Sequence, residues 1–296
     1  MKRCIFMQIN LNRDVTLQKI VINSRKCVTM MPENIKEHLE DINFCVAAFD
    51  IDAKNYKAFS PSDLGISGDE SNKIYLADGK IPEKCTIKYE PKAKNCKIFL
   101  GHDVQLKGCK LTMKSENSVL YIGKESSLNN VSIAILCKGD FVVVGEGVAV
   151  RSTSVWSTGL NPGKANNGII VGDHCLMSSE IVIRPADGHP IIDIETGEQL
   201  NISSAPIIIE PYVWVGQRAA IMKNVRIGAC SILSFNAVVT KSCEKFSALG
   251  GVPAIARSVA GKMWLRNKSK EAKILQKHYE LRFSSVPTAT VMADDA

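Results

Sequence analysis

The chain has 296 residues, of which 45% are hydrophobic and only 6% aromatic, and its 37 basic residues exceed its 30 acidic ones to give a formal charge of +7. This composition is typical of a globular protein with ample material for a core. No run of 18 apolar residues occurs, so a transmembrane helix is not expected, and the apolar run near the amino terminus is too short for a signal peptide. The ten cysteines lack the paired spacing of a zinc site, which predicts reduced thiols in a cytoplasmic protein.

Residues 1–90 contain no short repeat, and we expect them to form a small α/β extension to which the sequence assigns no role. Their pattern predicts a strand over residues 15–22, a short helix over residues 32–42 and a buried strand over residues 45–52. A stretch rich in Ser, Asp and Gly over residues 60–72 predicts a loop.

A six-residue repeat organises the chain from Ile209 to Cys243. Every sixth residue is a branched aliphatic, and the residue four places later is small or β-branched. The aliphatic residues are Ile209, Val215, Ile221, Ile227, Leu233 and Val239, and the small ones are Val213, Ala219, Val225, Ser231, Ala237 and Cys243. A period of six matches neither a helix nor a single strand, but it matches short strands joined by tight turns, three to a triangular coil. The repeat therefore predicts a mainly β protein with a left-handed parallel β-helix, the aliphatics inside the prism and the small residues at its corners.

The repeat begins less regularly near Ile98 and is interrupted twice, which predicts a solenoid domain over residues 91–258. Polar insertions fall around residues 157–168 and over residues 184–206. Because an interrupted solenoid tends to carry its function on the interrupting loop, we expect the second insertion to hold functional residues.

The segment after the solenoid is strongly basic. Residues 259–283 are predicted to be helical, and residues 262–282 hold seven Lys or Arg against two Glu. Two interpretations are open. The basic residues form a helix face exposed to solvent, or they attract an acidic glycan or an anionic membrane surface. Residues 284–296 are predicted to form a disordered tail.

An ordered set of motifs lies between residues 98 and 260. The motifs are Ile183-Arg-x-x-Asp187-Gly-His189-Pro-Ile, Thr196-Gly-Glu-Gln-Leu-Asn201, Val213-Trp214-Val-Gly216, Val238-Val-Thr240-Lys241 and Gly251-Val-Pro253-Ala254. Together they resemble the hexapeptide-repeat acetyltransferases, and most of all the capsule and lipopolysaccharide O-acetyltransferases. The resemblance implies an enzyme that uses acetyl-coenzyme A, without a metal, to acetylate a hydroxyl of a surface polysaccharide or its precursor.

Acetyl transfer to an alcohol needs a base, and histidine titrates in the useful range. The resemblance implies that His189 is this general base, in a loop where Gly188 allows a tight backbone and Pro190 stiffens the exit. The resemblance also implies that Asp187 is catalytic and either orients the imidazole or binds the acceptor. An equal alternative is that Asp187 only caps the turn.

The resemblance also implies a set of residues that bind coenzyme A. They are Trp214, Gly216, Gln217, Thr240, Lys241 and Arg257.

Within that set, an N–H of Gly216 or Gln217 would stabilise the oxyanion. Trp214 faces outward and lines the active site or packs at a subunit contact. Thr240 and Lys241 would meet the 3′-phosphate or the adenine.

Arg257 of that set and two further basic residues complete the phosphate candidates. Family members often have Lys or Arg directly after Pro-Ala, where this chain has Ile255, so Arg257 is the nearest base and the contacts of the terminal phosphate stay open. Arg218 and Lys223 are additional outward-facing candidates.

Members of this family form trimers with coenzyme A between neighbouring prisms. The resemblance thus implies a homotrimer in which His189 of one subunit faces the Trp214 region of the next. The expected partner is a glycan, acidic in one interpretation, with no nucleic acid and at most peripheral contact with a membrane.

Three other functions fit the same solenoid. A sugar-nucleotide N-acetyltransferase would share the fold, the cofactor and the base, and a non-catalytic glycan-binding solenoid would release no thiol. A zinc lyase of the γ-carbonic anhydrase type would need three converging histidines, and the solenoid offers only His102, His174 and His189.

Overall fold

The computed structural model describes residues 33–160 and 167–284. Its helices are α1 (Glu33–Lys36), α2 (Leu39–Cys45) and α3 (Lys270–Ser284), and single 3-10 turns cover Ala53–Asn55 and Ser62–Leu64. Across the part of the chain that the structure describes, every helix is too short or too polar to cross a bilayer. Several predictions fall outside the described residues. These are the strand at residues 15–22, the thiols of Cys4 and Cys27, and all but the first residue of the predicted tail. The other eight cysteines are free thiols.

Most of the described chain forms short strands. They are β1 (Lys57–Phe59), β2 (Lys73–Leu76), β3 (Thr86–Tyr89), β4 (Lys97–Leu100), β5 (Gln105–Lys107), β6 (Lys110–Met113), β7 (Val119–Ile122), β8 (Ser127–Asn129), β9 (Val131–Ile135), β10 (Phe141–Val144), β11 (Ala149–Val150) and β12 (Ser154–Ser157). The later ones are β13 (Gly168–Val171), β14 (Leu176–Met177), β15 (Val182–Ile183), β16 (Ile207–Ile209), β17 (Trp214–Val215), β18 (Ala220–Ile221), β19 (Arg226–Ile227), β20 (Ile232–Leu233), β21 (Val238–Val239), β22 (Ser247–Gly251) and β23 (Ala254–Ser258).

Three sheets enclose a triangular prism. The first sheet has the order β1-β2-β4-β7-β10-β13-β16-β19, the second β5-β8-β11-β14-β17-β20-β22-β23, and the third β3-β6-β9-β12-β15-β18-β21. The chain visits the first, second and third sheets in turn and then returns one coil further, so neighbouring strands are parallel except in the pairs β1–β2 and β22–β23. This is the predicted left-handed parallel β-helix.

The hexad explains both the core and the corners. The six aliphatic positions from Ile209 to Val239 are at most 1% exposed and belong to one continuous core. The residue before each of the first five small positions is in the left-handed backbone region, with φ between 59° and 61° at Tyr212, Arg218, Asn224, Cys230 and Asn236. One left-handed residue per hexad turns the chain by one corner, and the small residue that follows fits where two walls converge.

The first sheet is buried on both faces, because residues 33–56 cover its outer side. Outward-facing aromatic and aliphatic side chains of this sheet pack against that segment: Tyr75, Phe99, Val119, Tyr121, Phe141, Val143, Ile170 and Ile208. The predicted helix over residues 32–42 corresponds to α1 and α2. The buried strand predicted over residues 45–52 is wrong: Cys45 ends α2, and the following residues form turns. Their apolar character reflects packing on the first sheet, and a short apolar run does not distinguish a strand from other buried backbone.

The solenoid begins earlier than the predicted boundary at residue 91. Strand β2 is parallel to β4, with Ile74 beside Ile98 and Leu76 beside Leu100, so the first coil starts at Lys73. This coil lacks the aliphatic-glycine turn of later coils, which hides it in the sequence. At the other end, the β22–β23 hairpin closes the second sheet at Ser258.

Helix α3 begins at Lys270, eleven residues later than the predicted start at residue 259. The intervening segment is irregular, and Trp264 fixes it to the solenoid: its indole stacks on Tyr212 at 4.3 Å and its Nε1–H donates to the Tyr212 carbonyl at 2.9 Å. Ser269 then caps the helix, its Oγ accepting the Ala272 N–H at 3.2 Å. Tyr279 also stacks on Tyr212, so α3 lies along the corner between the first and second sheets.

Candidate functional site

The inserted loop over residues 184–206 leaves the solenoid between β15 of the third sheet and β16 of the first sheet. The loop is irregular, with a single antiparallel bridge between Ile192 and Gln199. It therefore projects from one corner of the prism, and His189 lies on it.

Asn201 is the centre of this loop. Its Nδ2 group donates to the Asp187 carboxylate at 2.8 Å and to the main-chain carbonyl of His189 at 2.9 Å. Its Oδ1 atom accepts the Ile191 N–H at 2.8 Å and the Gln199 side chain at 3.1 Å. One side chain thus holds the backbone on both sides of the His189–Pro190 pair.

Lys223 ties the loop to the solenoid. It follows β18, and its ammonium group forms an ion pair with Asp187 and donates to the Asn201 carbonyl at 3.1 Å. The Lys223 hydrogen bond, joined by that of Asn201, holds the pKa of Asp187 below its ordinary value. Lys223 is therefore engaged at the base of the loop, which differs from the predicted phosphate contact.

The imidazole of His189 is exposed, and no side chain of the described residues hydrogen-bonds to it. Asp187 is held by Lys223 and Asn201, so the carboxylate fixes the loop and does not orient the ring directly. Gly188 is also not needed for a tight turn: a Cβ atom there would meet nothing within 4 Å, and its φ lies outside the left-handed region.

Trp214 lies on the second sheet and faces outward, as predicted, with 40% of its surface exposed. Its ring centroid is 6.3 Å from that of Trp264. The C-terminal segment therefore borders Trp214 on one side and leaves its other face open to a ligand or a neighbouring molecule.

Gly216 and Gln217 form the corner after Trp214. The Gly216 N–H already donates to the Leu233 carbonyl at 2.8 Å within the solenoid, and a Cβ atom at Gly216 would lie 2.7 Å from that oxygen. Glycine is thus required here by packing. No described residue accepts the Gln217 N–H, so of the two residues only Gln217 has a backbone N–H that is free to donate to a ligand. The Gln217 and Arg218 side chains both bind Glu180, so Arg218 is paired and is not a free phosphate ligand.

The basic candidates for coenzyme A lie in two places. Thr240 and Lys241 are exposed directly after β21, and the register that aligns Val239 with Ile221 places Lys241 one coil beyond Lys223. These two residues share the corner from which the inserted loop projects. Arg257 is exposed on β23, at the edge of the second sheet.

One chain does not bring all the predicted residues together. His189, Thr240 and Lys241 lie at the corner of the third and first sheets, whereas Trp214 and Arg257 lie on the second sheet, which does not border that corner. The histidines are divided as well: His102 and His174 are at or near the corner of the first and second sheets. No group of three metal-ligating side chains forms among residues 33–160 and 167–284.

Asn201 and Lys223 hold this site together, although the sequence gave Asn201 no role of its own and gave Lys223 only a phosphate contact. The signal for Lys223 was the hexad register, which places Ile221 directly above Ile183 at the start of the loop. No spacing rule identifies Asn201, because its four hydrogen bonds depend on how an irregular loop folds back.

The comparisons with known proteins agree with the fold. No protein-family model matches the chain. A polysialic acid O-acetyltransferase of Escherichia coli O1:K1 is 30% identical over 137 residues, which cover 45% of this chain and 43% of that relative. The chain spans about half the length of the curated relatives it matches.

Two solved structures share the architecture. The polySia-specific acetyltransferase NeuO has a TM-score of 0.53 at 24% identity, covering 67% of this chain and 87% of its own. The polysialic acid O-acetyltransferase OatWY has a TM-score of 0.54 at 19% identity, covering 66% and 95%. The resemblance to capsule O-acetyltransferases of the hexapeptide-repeat class is thus confirmed, and the fold is theirs.

Proposed function

We propose that this protein transfers the acetyl group of acetyl-coenzyme A to a hydroxyl of an acidic capsular polysaccharide, with His189 as general base. The observation that carries the proposal is the exposed imidazole of His189, held on a hydrogen-bonded loop at a corner of the solenoid. The similarity of this chain to polysialic acid O-acetyltransferases supports both the reaction and the class of acceptor.

In the proposed reaction, the imidazole of His189 removes the proton of the acceptor hydroxyl. The oxygen forms a bond to the thioester carbonyl carbon, whose π electrons move to the carbonyl oxygen. When the carbonyl re-forms, the carbon–sulfur bond breaks, and the thiolate takes the proton from the imidazolium. The products are an acetyl ester and coenzyme A with a free thiol, and the base returns to its initial state. General-base catalysis of this kind contributes about 10²–10⁴-fold.

The predicted site residues carry groups that could bind the thioester, the pantetheine arm and the phosphates of acetyl-coenzyme A. The unengaged N–H of Gln217 would donate to the oxygen that becomes negative. The Lys241 and Arg257 cations would meet phosphates, with Thr240 beside them and Trp214 and Gly216 along the pantetheine arm. Asp187 would act by holding the loop through Lys223.

We also propose that the active enzyme is a cytoplasmic homotrimer with its sites between subunits. Support comes from the separation of the residues: His189 and Trp214 lie on different sides of one prism. A threefold arrangement would place the His189 corner of one subunit against the second sheet of the next and would unite both groups in one groove.

A sugar-nucleotide N-acetyltransferase and a glycan-binding solenoid remain the alternatives. To distinguish them, the purified protein is incubated with acetyl-coenzyme A and one acceptor at a time, and free thiol and the acetylated product are measured. The panel contains polysialic acid, a neutral polysaccharide and an amino-sugar nucleotide. We expect thiol release with polysialic acid and an acetyl group on oxygen. Acetyl on nitrogen would identify the first alternative, and no thiol release with any acceptor would contradict the proposal.

A further inference from the structure

The C-terminal segment carries a row of lysines that the catalytic proposal does not use. Lys268 lies two residues before α3, and Lys270, Lys273 and Lys277 follow at helical spacing on its exposed side; we call these four residues the lysine stripe. The opposite side of α3 is buried against the solenoid through Ala272, Tyr279 and Phe283. The lysines therefore point away from the protein body along the first half of the helix.

The stripe is rigidly attached. Trp264 and Tyr279 sandwich Tyr212, with centroid distances of 4.3 and 4.9 Å, and the ammonium group of Lys245 donates to the Phe283 carbonyl at 2.7 Å. The helical part of the stripe, from Lys270 to Lys277, spans about 10 Å, which is about two coils of the solenoid at ~4.8 Å each. The lysines thus form a fixed line along one corner of the prism and are not part of a loose tail.

The charge of the stripe is largely uncompensated. Lys277 forms a salt bridge with Glu280 at 2.8 Å, but Lys268, Lys270 and Lys273 form none within the described residues. Glu271 is the only other acidic residue between 262 and 282. A line of unpaired ammonium groups attracts a polymer with regularly spaced negative charges.

The segment that carries the stripe also reaches the proposed active site. The segment that carries it is anchored by Trp264, whose ring lies 6.3 Å from that of Trp214. We propose that the lysine stripe is a binding track for the acidic polysaccharide, outside the reaction centre, which holds the polymer while a sugar unit beside Trp214 is acetylated. This inference rests on the proposed function for its occupant.

An anionic membrane surface is the competing occupant, since Ile274 and Leu281 are exposed on the same helix. Two isolated aliphatics among four lysines offer little apolar area for insertion between lipids. A polymer that needs only charge therefore fits the stripe better.

The test compares two variants with the same loss of charge. In the stripe variant, Lys268, Lys270 and Lys273 are replaced by Gln. In the control variant, Lys107, Lys110 and Lys114 are replaced by Gln; all three are exposed on an early coil, away from α3. Binding of long-chain polysialic acid is measured without acetyl-coenzyme A, and melting temperatures verify that both variants fold.

We expect the stripe variant to bind the polymer about tenfold more weakly and the control variant to stay within about twofold of the wild type. The KM for the polymer should rise in parallel at constant kcat, while the KM for a short oligomer should not change. Equal effects in the two variants, or unchanged polymer binding in the stripe variant, would overturn the proposal that the lysine stripe binds the polysaccharide. The proposal would also be overturned if the stripe variant lost binding to vesicles containing anionic lipid but kept binding to the polymer. Because binding is measured without catalysis, the absence of any acetyl transfer would count only against the proposed function.

Discussion

The side-chain amide of Asn201 donates a hydrogen bond of 2.9 Å to the main-chain carbonyl of His189. The same amide donates to Asp187, which is paired with Lys223 of the next coil. The exposed histidine is thus connected to the rigid solenoid through one asparagine and one ion pair. This connection supports the proposed role of His189, because a general base must be held within hydrogen-bond reach of the proton it removes.

Replacement of His189 with Ala should lower kcat for acetyl transfer by about 10²–10⁴-fold, because it removes the proposed base. The melting temperature should not change, since the side chain is exposed. Both are measured on the same preparation, by thiol release and by thermal unfolding. A variant that keeps the full rate would eliminate His189 as the base.

Replacement of Asn201 with Asp should lower kcat by about 10- to 100-fold, with little change in the KM for acetyl-coenzyme A. The aspartate keeps the acceptors for Ile191 and Gln199 but loses the donor to His189 and repels Asp187, so the base is displaced. Thr196→Ala at the tip of the same loop is the matched control and should keep most of the activity. If both variants behave alike, Asn201 has no special part in positioning His189.

Replacement with alanine should destabilise the protein at Gly216 but not at Gly188. At Gly216 a Cβ atom would lie 2.7 Å from the Leu233 oxygen, so Gly216→Ala should lower the free energy of unfolding by about 1–3 kcal/mol. At Gly188 nothing lies within 4 Å, and the change should stay within about 0.5 kcal/mol. Chemical denaturation of the two variants gives these values, and equal losses would refute the packing argument.

Acid should destabilise the protein through His174, whose burial lowers its pKa from 6.5 to about 4. Because the folded pKa lies below the unfolded one, this contribution is fully present above pH 6.5 and is lost as the pH falls towards 4. At about pH 5 the loss is roughly 2 kcal/mol. His174→Asn removes the titrating ring and suits the left-handed backbone, with φ 57°.

Urea unfolding at about pH 7.5 and about pH 5 measures this effect. Between the two, the wild type should lose about 2 kcal/mol more than His174→Asn. Parallel losses in both proteins would show that His174 is not the acid-sensitive group.

Sites between subunits should show complementation. His189→Ala and Trp214→Ala subunits, each inactive as homotrimers, are mixed under conditions that exchange subunits. If each site takes its histidine and its tryptophan from different subunits, about one quarter of the sites in a random mixture carry both groups. We expect about that share of the wild-type rate, and a mixture that stays inactive would place the complete site within one subunit.

The hexad from Ile209 to Val239 predicted the solenoid because each wall of a coil turns an aliphatic side chain into the prism at every sixth residue, a local rule visible in the chain. The inserted loop was visible for the same reason, as a break in that rule, whereas His189 was singled out by the resemblance of its motif to the hexapeptide-repeat acetyltransferases. The first coil at β2 was hidden, since it lacks the turn glycine, and residues 45–52 were mistaken for a strand because their burial comes from contacts with the first sheet.

Only the tertiary structure decided how the site is held. Asn201 meets His189, and Lys223 meets Asp187, across 12 and 36 positions of sequence. Which of Gly216 and Gln217 has an unengaged N–H depends on the coil above, where Leu233 accepts the bond of Gly216. The sequence by itself determined the repeat and the loop that interrupts it, because both follow from local packing rules. The orientation of the loop and the position of the lysine stripe along one corner depend on contacts between distant segments, which no periodicity records.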